Sequence, residues 1–205
     1  MISLNNVSLK FENKQVIDNL SFDFENRKKY AIIGESGCGK TTILNVISGL
    51  LKPQSGDVSK EPYCKIAYVF QEPRLFDWLT VLENVSTVTG LDKSNSQSKA
   101  KELLTLLGLK ESLYQYPNEL SGGMKQRVSI ARAMAYEPDV ILLDEPFKAL
   151  DVETKKQVAN ILFNCFKDKT VIMVTHDITD LEYVDYVLQA GPSQISSLSL
   201  VKSSM

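Results

Sequence analysis

GESGCGKTT, Gly34 to Thr42, lies between a continuous apolar run, Tyr30 to Ile33, and a stretch of helical spacing, Thr41 to Leu50. Strand, glycine-rich turn and helix in that order predict a cradle for phosphate. Gly34, Gly37 and Gly39 accept backbone angles that a Cβ opposes, so successive N–H groups converge at the positive end of a helix. Glu35, Ser36 and Cys38 complete the loop, whose backbone wraps the phosphates. Lys40 adds a mobile cation for the β and γ phosphates, Thr41 a hydroxyl for Mg²⁺, and Thr42 a hydroxyl directed toward the α phosphate. The plainer alternative, a glycine-rich turn with an exposed lysine, is disfavoured by the flanking strand and helix. Cys38, beside a lysine and near a helix N-terminus, has two features that favour a thiolate; a small residue that merely fits the loop is the simpler alternative.

Outward from this loop the pattern is α/β. Ile66 to Phe70, Val140 to Leu143 and Val171 to Val174 are further short apolar runs, expected of parallel strands covered on both faces. Lys99 to Leu107, Ser121 to Ala135 and Thr154 to Phe166 have helical spacing. At the N-terminus, Ile2, Leu4, Val7, Leu9 and Phe11 roughly alternate with polar residues, and Leu20, Phe22 and Phe24 do so strictly, predicting two half-buried antiparallel strands. The expected fold is a mostly parallel core sheet with an antiparallel β-subdomain and an inserted helical lobe. The core spans 1–71 and 121–205, the lobe 72–120, within a single domain over 1–205. Asp92 to Ser98, DKSNSQS, reads as a polar loop inside the lobe, and Gln194 to Met205 as a serine-rich tail too short to make another domain.

Composition narrows the function classes. The 205 residues carry 43% hydrophobic and 23% charged side chains, enough for a proper core, and a net charge of -2, without the basic footprint of a nucleic-acid binder. Cys38, Cys64 and Cys165 lack the paired spacing of a zinc site or disulfide framework, which suggests a reducing, cytoplasmic compartment. Met1 to Leu9 is not a signal peptide, and no apolar run is long enough to span a bilayer, so any membrane role is expected to pass through a partner.

VILLDEP, Val140 to Pro146, ends an apolar strand in two acids at the edge where α/β sheets hold ligands. Asp144 is suited to hold Mg²⁺ through water, and Glu145 to accept the proton of a water attacking the γ phosphate; acids that merely cap a following helix are the alternative. His176, the only histidine, ends the next apolar strand and should emerge at the same edge, against the γ phosphate or the attacking water. Gln71 follows the strand Ile66 to Phe70 and is positioned to reach Mg²⁺ or that water. LSGGMKQR, Leu120 to Arg127, puts Ser121 at an N-cap with Gly122 and Gly123 opening a helix, either plain capping or half of a second phosphate site completed by another chain.

The ordered set GESGCGKTT, Gln71, LSGGMKQR, VILLDEP, ALD and His176 resembles the nucleotide-binding subunit of ABC transporters over nearly the whole chain. The resemblance implies an ATPase using MgATP in a head-to-tail dimer, with Ser121 and Gly123 of one copy closing over ATP on the loop of the other and Asp151 between the two sites. It matches Phe11 to an aromatic adenine platform flanked by Val16, although both also fit as ordinary strand residues. The chain departs from the family at Lys148, where a small residue is usual, in a shorter lobe and in a shorter stretch after His176; no regulatory domain is expected.

EPRLFDWLTVLENV, Glu72 to Val85, lies where the resemblance puts the grip on a membrane partner, and its apolar side chains are either an interface or the lobe's own core. This segment and EPFKALD are similar to importer subunits for nitrate, sulfonates, taurine and thiamine pyrimidine precursors. The implied partners are transmembrane permease subunits and a separate extracytoplasmic solute-binding protein, with the chain on the cytoplasmic face of the membrane. A soluble ABC ATPase in DNA repair, translation or iron-sulfur assembly is the alternative, and an ATP-binding subunit without turnover is disfavoured because every catalytic position is filled.

Overall fold

Alternating and continuous apolar strands part into two sheets in the structure, a computed structural model that describes residues 1–12, 14–191 and 194–203. The elements in order are β1 (Ile2–Phe11), β2 (Lys14–Phe24), β3 (Lys29–Ile33), α1 (Lys40–Ser48), β4 (Ser55–Lys60), β5 (Ile66–Val69), α2 (Val81–Ser86), α3 (Lys93–Leu106), α4 (Gly122–Ala135), β6 (Val140–Asp144), α5 (Val152–Cys165), β7 (Thr170–Val174), β8 (Tyr186–Ala190) and β9 (Leu198–Ser203). They fall into two compact units, one comprising Met1–Ile66, Asp139–Asp144 and Asp168–Met205, the other Ala67–Pro138 and Glu145–Lys167.

In the first unit β2, β1 and β4 form an antiparallel sheet in that order. Ile2, Leu4, Val7, Leu9, Leu20 and Phe24 are buried, as the alternation predicts, whereas Phe22 is half-buried and Phe11 is exposed. The gap of three between Leu4 and Val7 has a physical cause: the β1–β2 register shifts there, and Asn6 adopts a φ of 50°. A bulge absorbs the extra residue and keeps Val7 facing the core. Asn6, whose short polar side chain tolerates that conformation, donates from its amide to Asn19 Oδ1 at 3.0 Å. β4, SGDVSK, is almost wholly exposed and carries no apolar alternation, so nothing in its sequence announced a strand.

The second sheet of this unit runs β6-β7-β3-β8-β9, parallel from β6 to β8, with β9 antiparallel at the edge. All five residues of β6 and all five of β7 are buried, the continuous pattern of covered parallel strands. α1 packs against β6 and β7 through its apolar face, which includes Ile43, Leu44 and Ile47. The serine-rich tail is therefore structural. Its residues 198–203 make β9, and before them Ile195 donates its N–H to Val16 O at 2.9 Å and accepts from Asp18 N–H at 3.0 Å. Ser204 and Met205 lie outside the described residues.

In the second unit α2, α3 and α4 pack on one another, and α5 packs on α4. A capping box opens α2: the Thr80 hydroxyl accepts from Glu83 N–H, and the Glu83 carboxylate accepts from Thr80 N–H at 2.8 Å. The polar segment Asp92 to Ser98 is helix, not loop. Asp92 caps α3, accepting from Ser94 and Asn95 N–H, and Ser96 begins a buried stripe continued by Ala100 and Leu104. Small and hydroxyl residues at i, i+4 and i+8 keep the helical spacing while hiding it from an apolar count.

Gly56 carries the tightest backbone approach in the antiparallel sheet. With φ at 75°, a Cβ there would stand 2.3 Å from both Asn5 O and Asn6 O. Gly56→Ala should lower stability by roughly 1–3 kcal/mol from backbone strain alone, with further loss from the clash. Thermal or urea unfolding checks this; an unchanged midpoint would mean the β1–β4 edge does not hold this register.

Candidate functional site

The phosphate loop follows β3. Cys38 N–H donates to Glu35 O at 3.4 Å, turning the chain, and Gly39 caps α1 with a φ of 112°. A Cβ on Gly39 would sit 2.5 Å from Val16 Cγ1, so glycine is required both by the angle and by β2 behind it. At Gly37 the same test meets open space, and Glu35, Ser36 and Gly37 are exposed. The loop is thus packed on its back and open in front, as a phosphate cradle must be. Lys40 is buried, its ammonium donating to Gly34 O at 2.9 Å and Glu35 O at 2.6 Å. Expected as a mobile cation, it is held by the loop's own carbonyls. Cys38, only 2% exposed, has its sulfur 3.9 Å from Lys40 Nζ. That burial favours the small residue that fits the loop over a reactive thiol.

Strand register gathers the other groups of this unit at one edge. Ile32 pairs with Val174, and Val174 pairs with Asp144. The loop after β3, His176 after β7 and Asp144 at the end of β6 consequently emerge at the C-terminal ends of three parallel strands, where α/β sheets bind ligands. Thr41 Oγ1 donates to Asp144 Oδ1 at 3.1 Å, and Asp144 is buried. His176 is exposed, next to Thr175, whose buried hydroxyl donates to the Asp180 carboxylate. Phe11 ends β1 with 47% of its surface exposed, whereas Val16 is buried beneath Gly39.

The remaining candidates belong to the second unit. Ser121 Oγ accepts from Met124 N–H at 3.3 Å, capping α4, which Gly122 and Gly123 open. A Cβ on Gly123 would meet Ala149 O at 2.9 Å, so this glycine also has a packing reason within its own unit. Asp151 caps α5, accepting from Thr154 N–H at 3.0 Å, and that bond holds its carboxyl below the usual range. Gln71 is exposed two residues beyond β5. Glu145, next in the chain after Asp144, has a φ of 45° and pairs with Lys148 Nζ at 2.9 Å.

Two features were missed from sequence. Ile195, fully buried, backs Val16 and, through it, the loop at Gly39; only the alternation around Leu198 and Leu200 hinted at order there. The ion pair of Lys148 with Glu145 is the other, although the i, i+3 spacing of opposite charges was visible.

Comparison with known proteins agrees with this geometry. The chain is 39% identical over 209 residues to the aliphatic sulfonates import ATP-binding protein SsuB of Bacillus anthracis, covering 95% of this chain and 83% of that protein. It is 41% identical over 194 residues to SsuB of Bacillus subtilis (strain 168), covering 89% and 76%. To the taurine import ATP-binding protein TauB of Roseobacter denitrificans it is 36% identical, covering 87% and 73%. The ATP-binding cassette MJ0796, solved as a dimer in a post-hydrolysis state bound to ADP and Pi, superposes with a TM-score of 0.89 at 30% identity over the whole of both chains. Residues 17–148 match the family described as ABC transporter, and this chain belongs to that family.

Proposed function

We propose that this chain is the ATP-hydrolysing subunit of an ABC importer for a sulfonate or taurine-type solute, acting as a head-to-tail pair on the cytoplasmic face of the membrane beneath separate permease subunits. The observation that carries the reading is the phosphate loop with Thr41 bonded to Asp144 behind it, in a chain related throughout to sulfonate and taurine import ATPases. Its domain is 1–205, with 72–120 as the inserted lobe. The solute is delivered by an extracytoplasmic binding protein and never touches this chain.

Backbone N–H groups of Gly34 to Thr42 hold the phosphates, and the Lys40 ammonium, already aimed across the loop, shares its donors between loop carbonyls and phosphate oxygens. The Thr41 hydroxyl and the Asp144 carboxylate are oxygen donors 3.1 Å apart, a donor set that fits Mg²⁺, with Gln71 as a further ligand. An Mg²⁺ ion held by these residues would supply positive charge to offset that of the phosphates. Glu145 accepts the proton of the attacking water, and His176 orients that water or the γ phosphate. Phe11 stacks on the base. Ser121 and Gly123 of a second copy close the cleft, with Asp151 near the junction.

No helix among the described residues is long and apolar enough to cross a membrane, and attachment in this reading is through the permease. Trp78, 74% exposed with its ring tilted on Phe76 at 5.3 Å, supplies an aromatic anchor for it. Recovery of the chain from membranes with a multi-spanning protein is the expected outcome of affinity purification; recovery solely as a soluble complex would favour a soluble ABC ATPase.

Glu145→Gln should lower turnover about 10²- to 10⁴-fold, roughly 3–5 kcal/mol of barrier, while ATP binding persists. Steady-state phosphate release together with fluorescent-nucleotide binding checks this. Near-normal turnover would remove Glu145 as the base.

A further inference from the structure

Glu145 is held in a conformation that its sequence opposes. A positive φ of 45° is uncommon for any side chain with a Cβ, and the following Pro146 restricts the preceding backbone further. Such strain persists only where the surroundings over-determine it. Lys148 supplies two of those determinants within the same unit. Its backbone N–H donates to Glu145 O at 3.3 Å, closing a turn over Pro146 and Phe147, and its ammonium reaches Glu145 Oε2 at 2.9 Å. Phe147 is buried, pinning the middle of the turn, while the Lys148 side chain is 61% exposed and that of Glu145 only 15%. One residue therefore grips another at both its main chain and its side chain.

We propose that Lys148 is a positioning residue for Glu145, setting the direction of the carboxylate by tying one of its oxygens. A carboxylate offers about four lone-pair sites, so the ion pair with Lys148 does not by itself exhaust its capacity for accepting a proton from water. Fixing the rotamer matters because a general base acts through geometry first, and small misplacements cost rate rather than affinity. The proposal rests on Glu145 being the base.

The side-chain tether can be removed without disturbing the turn, since any residue but proline keeps the Lys148 N–H. Lys148→Met keeps the length and loses the charge; Lys148→Arg keeps both. Single-turnover MgATP hydrolysis and ATP affinity are measured for the full chain, with the thermal midpoint of each variant alongside. Lys148→Met should slow hydrolysis about two- to fivefold, the range of a part-exposed ion pair, with ATP affinity and midpoint unchanged, and Lys148→Arg should restore the rate to within about twofold. An unchanged or faster Lys148→Met, or an equal fall in Lys148→Arg, would overturn the proposal. So would a loss of rate that tracks a lowered midpoint or weakened ATP binding. Glu145→Gln in the same series separates the two ideas: if it hydrolyses ATP normally, the base assignment fails and the proposal with it, whereas an inactive Glu145→Gln beside an unaffected Lys148→Met defeats the proposal alone.

Discussion

Ile32 pairs with Val174 and Val174 with Asp144, and this parallel register brings the loop after β3, Asp144 and His176 to one edge of the first unit's sheet. Slipping one strand by a residue would turn its side chains to the opposite face. The 3.1 Å hydrogen bond from Thr41 to Asp144, two residues 103 positions apart in sequence, exists because β3 hands the chain to α1 at the edge where β6 ends. Full burial of β6 and β7 keeps both strands inside the covered sheet, where their backbone groups must pair with neighbouring strands.

Each unit carries a candidate residue in a conformation that favours glycine. Gly39 at a φ of 112° lies against Val16, and Glu145 at 45° lies against a proline. The first costs little because glycine lacks a Cβ; the second is carried by a residue that has one, and its surroundings must hold it. The tail contributes in the same way at a distance, with Ile195 bonded on either side to Val16 and Asp18 so that the strand behind Gly39 does not yield. A short serine-rich segment thus becomes part of the wall behind the phosphate loop.

Legibility followed chemistry that is local in sequence. The phosphate loop, the buried parallel strands, the paired acids and the Ser121 cap were readable because each needs particular residue types at fixed spacing. β4 was not, since a polar edge strand owes its pairing to β1 rather than to its own alternation. The N-terminal half of α3 was read as loop because Asp92 to Ser98 is polar, yet Ser96 is buried and its hydroxyl donates to Leu91 O at 2.9 Å, satisfying the group that made it look exposed. Lys40 looked mobile in sequence, and only the folded loop brings two carbonyls to its ammonium.

The amino-acid sequence by itself determined the fold class and named the candidates for phosphate binding, because glycines, Lys40, Thr41 and Asp144 each bring a backbone freedom, charge or oxygen that such a loop needs. Tertiary structure alone decided which of those groups meet: Thr41 with Asp144, Ile195 with Val16, Lys148 with Glu145. The physical reason is that spacing along the chain specifies which groups are available, whereas hydrogen-bond distances between them arise only when buried strands fix register and a tight turn fixes direction.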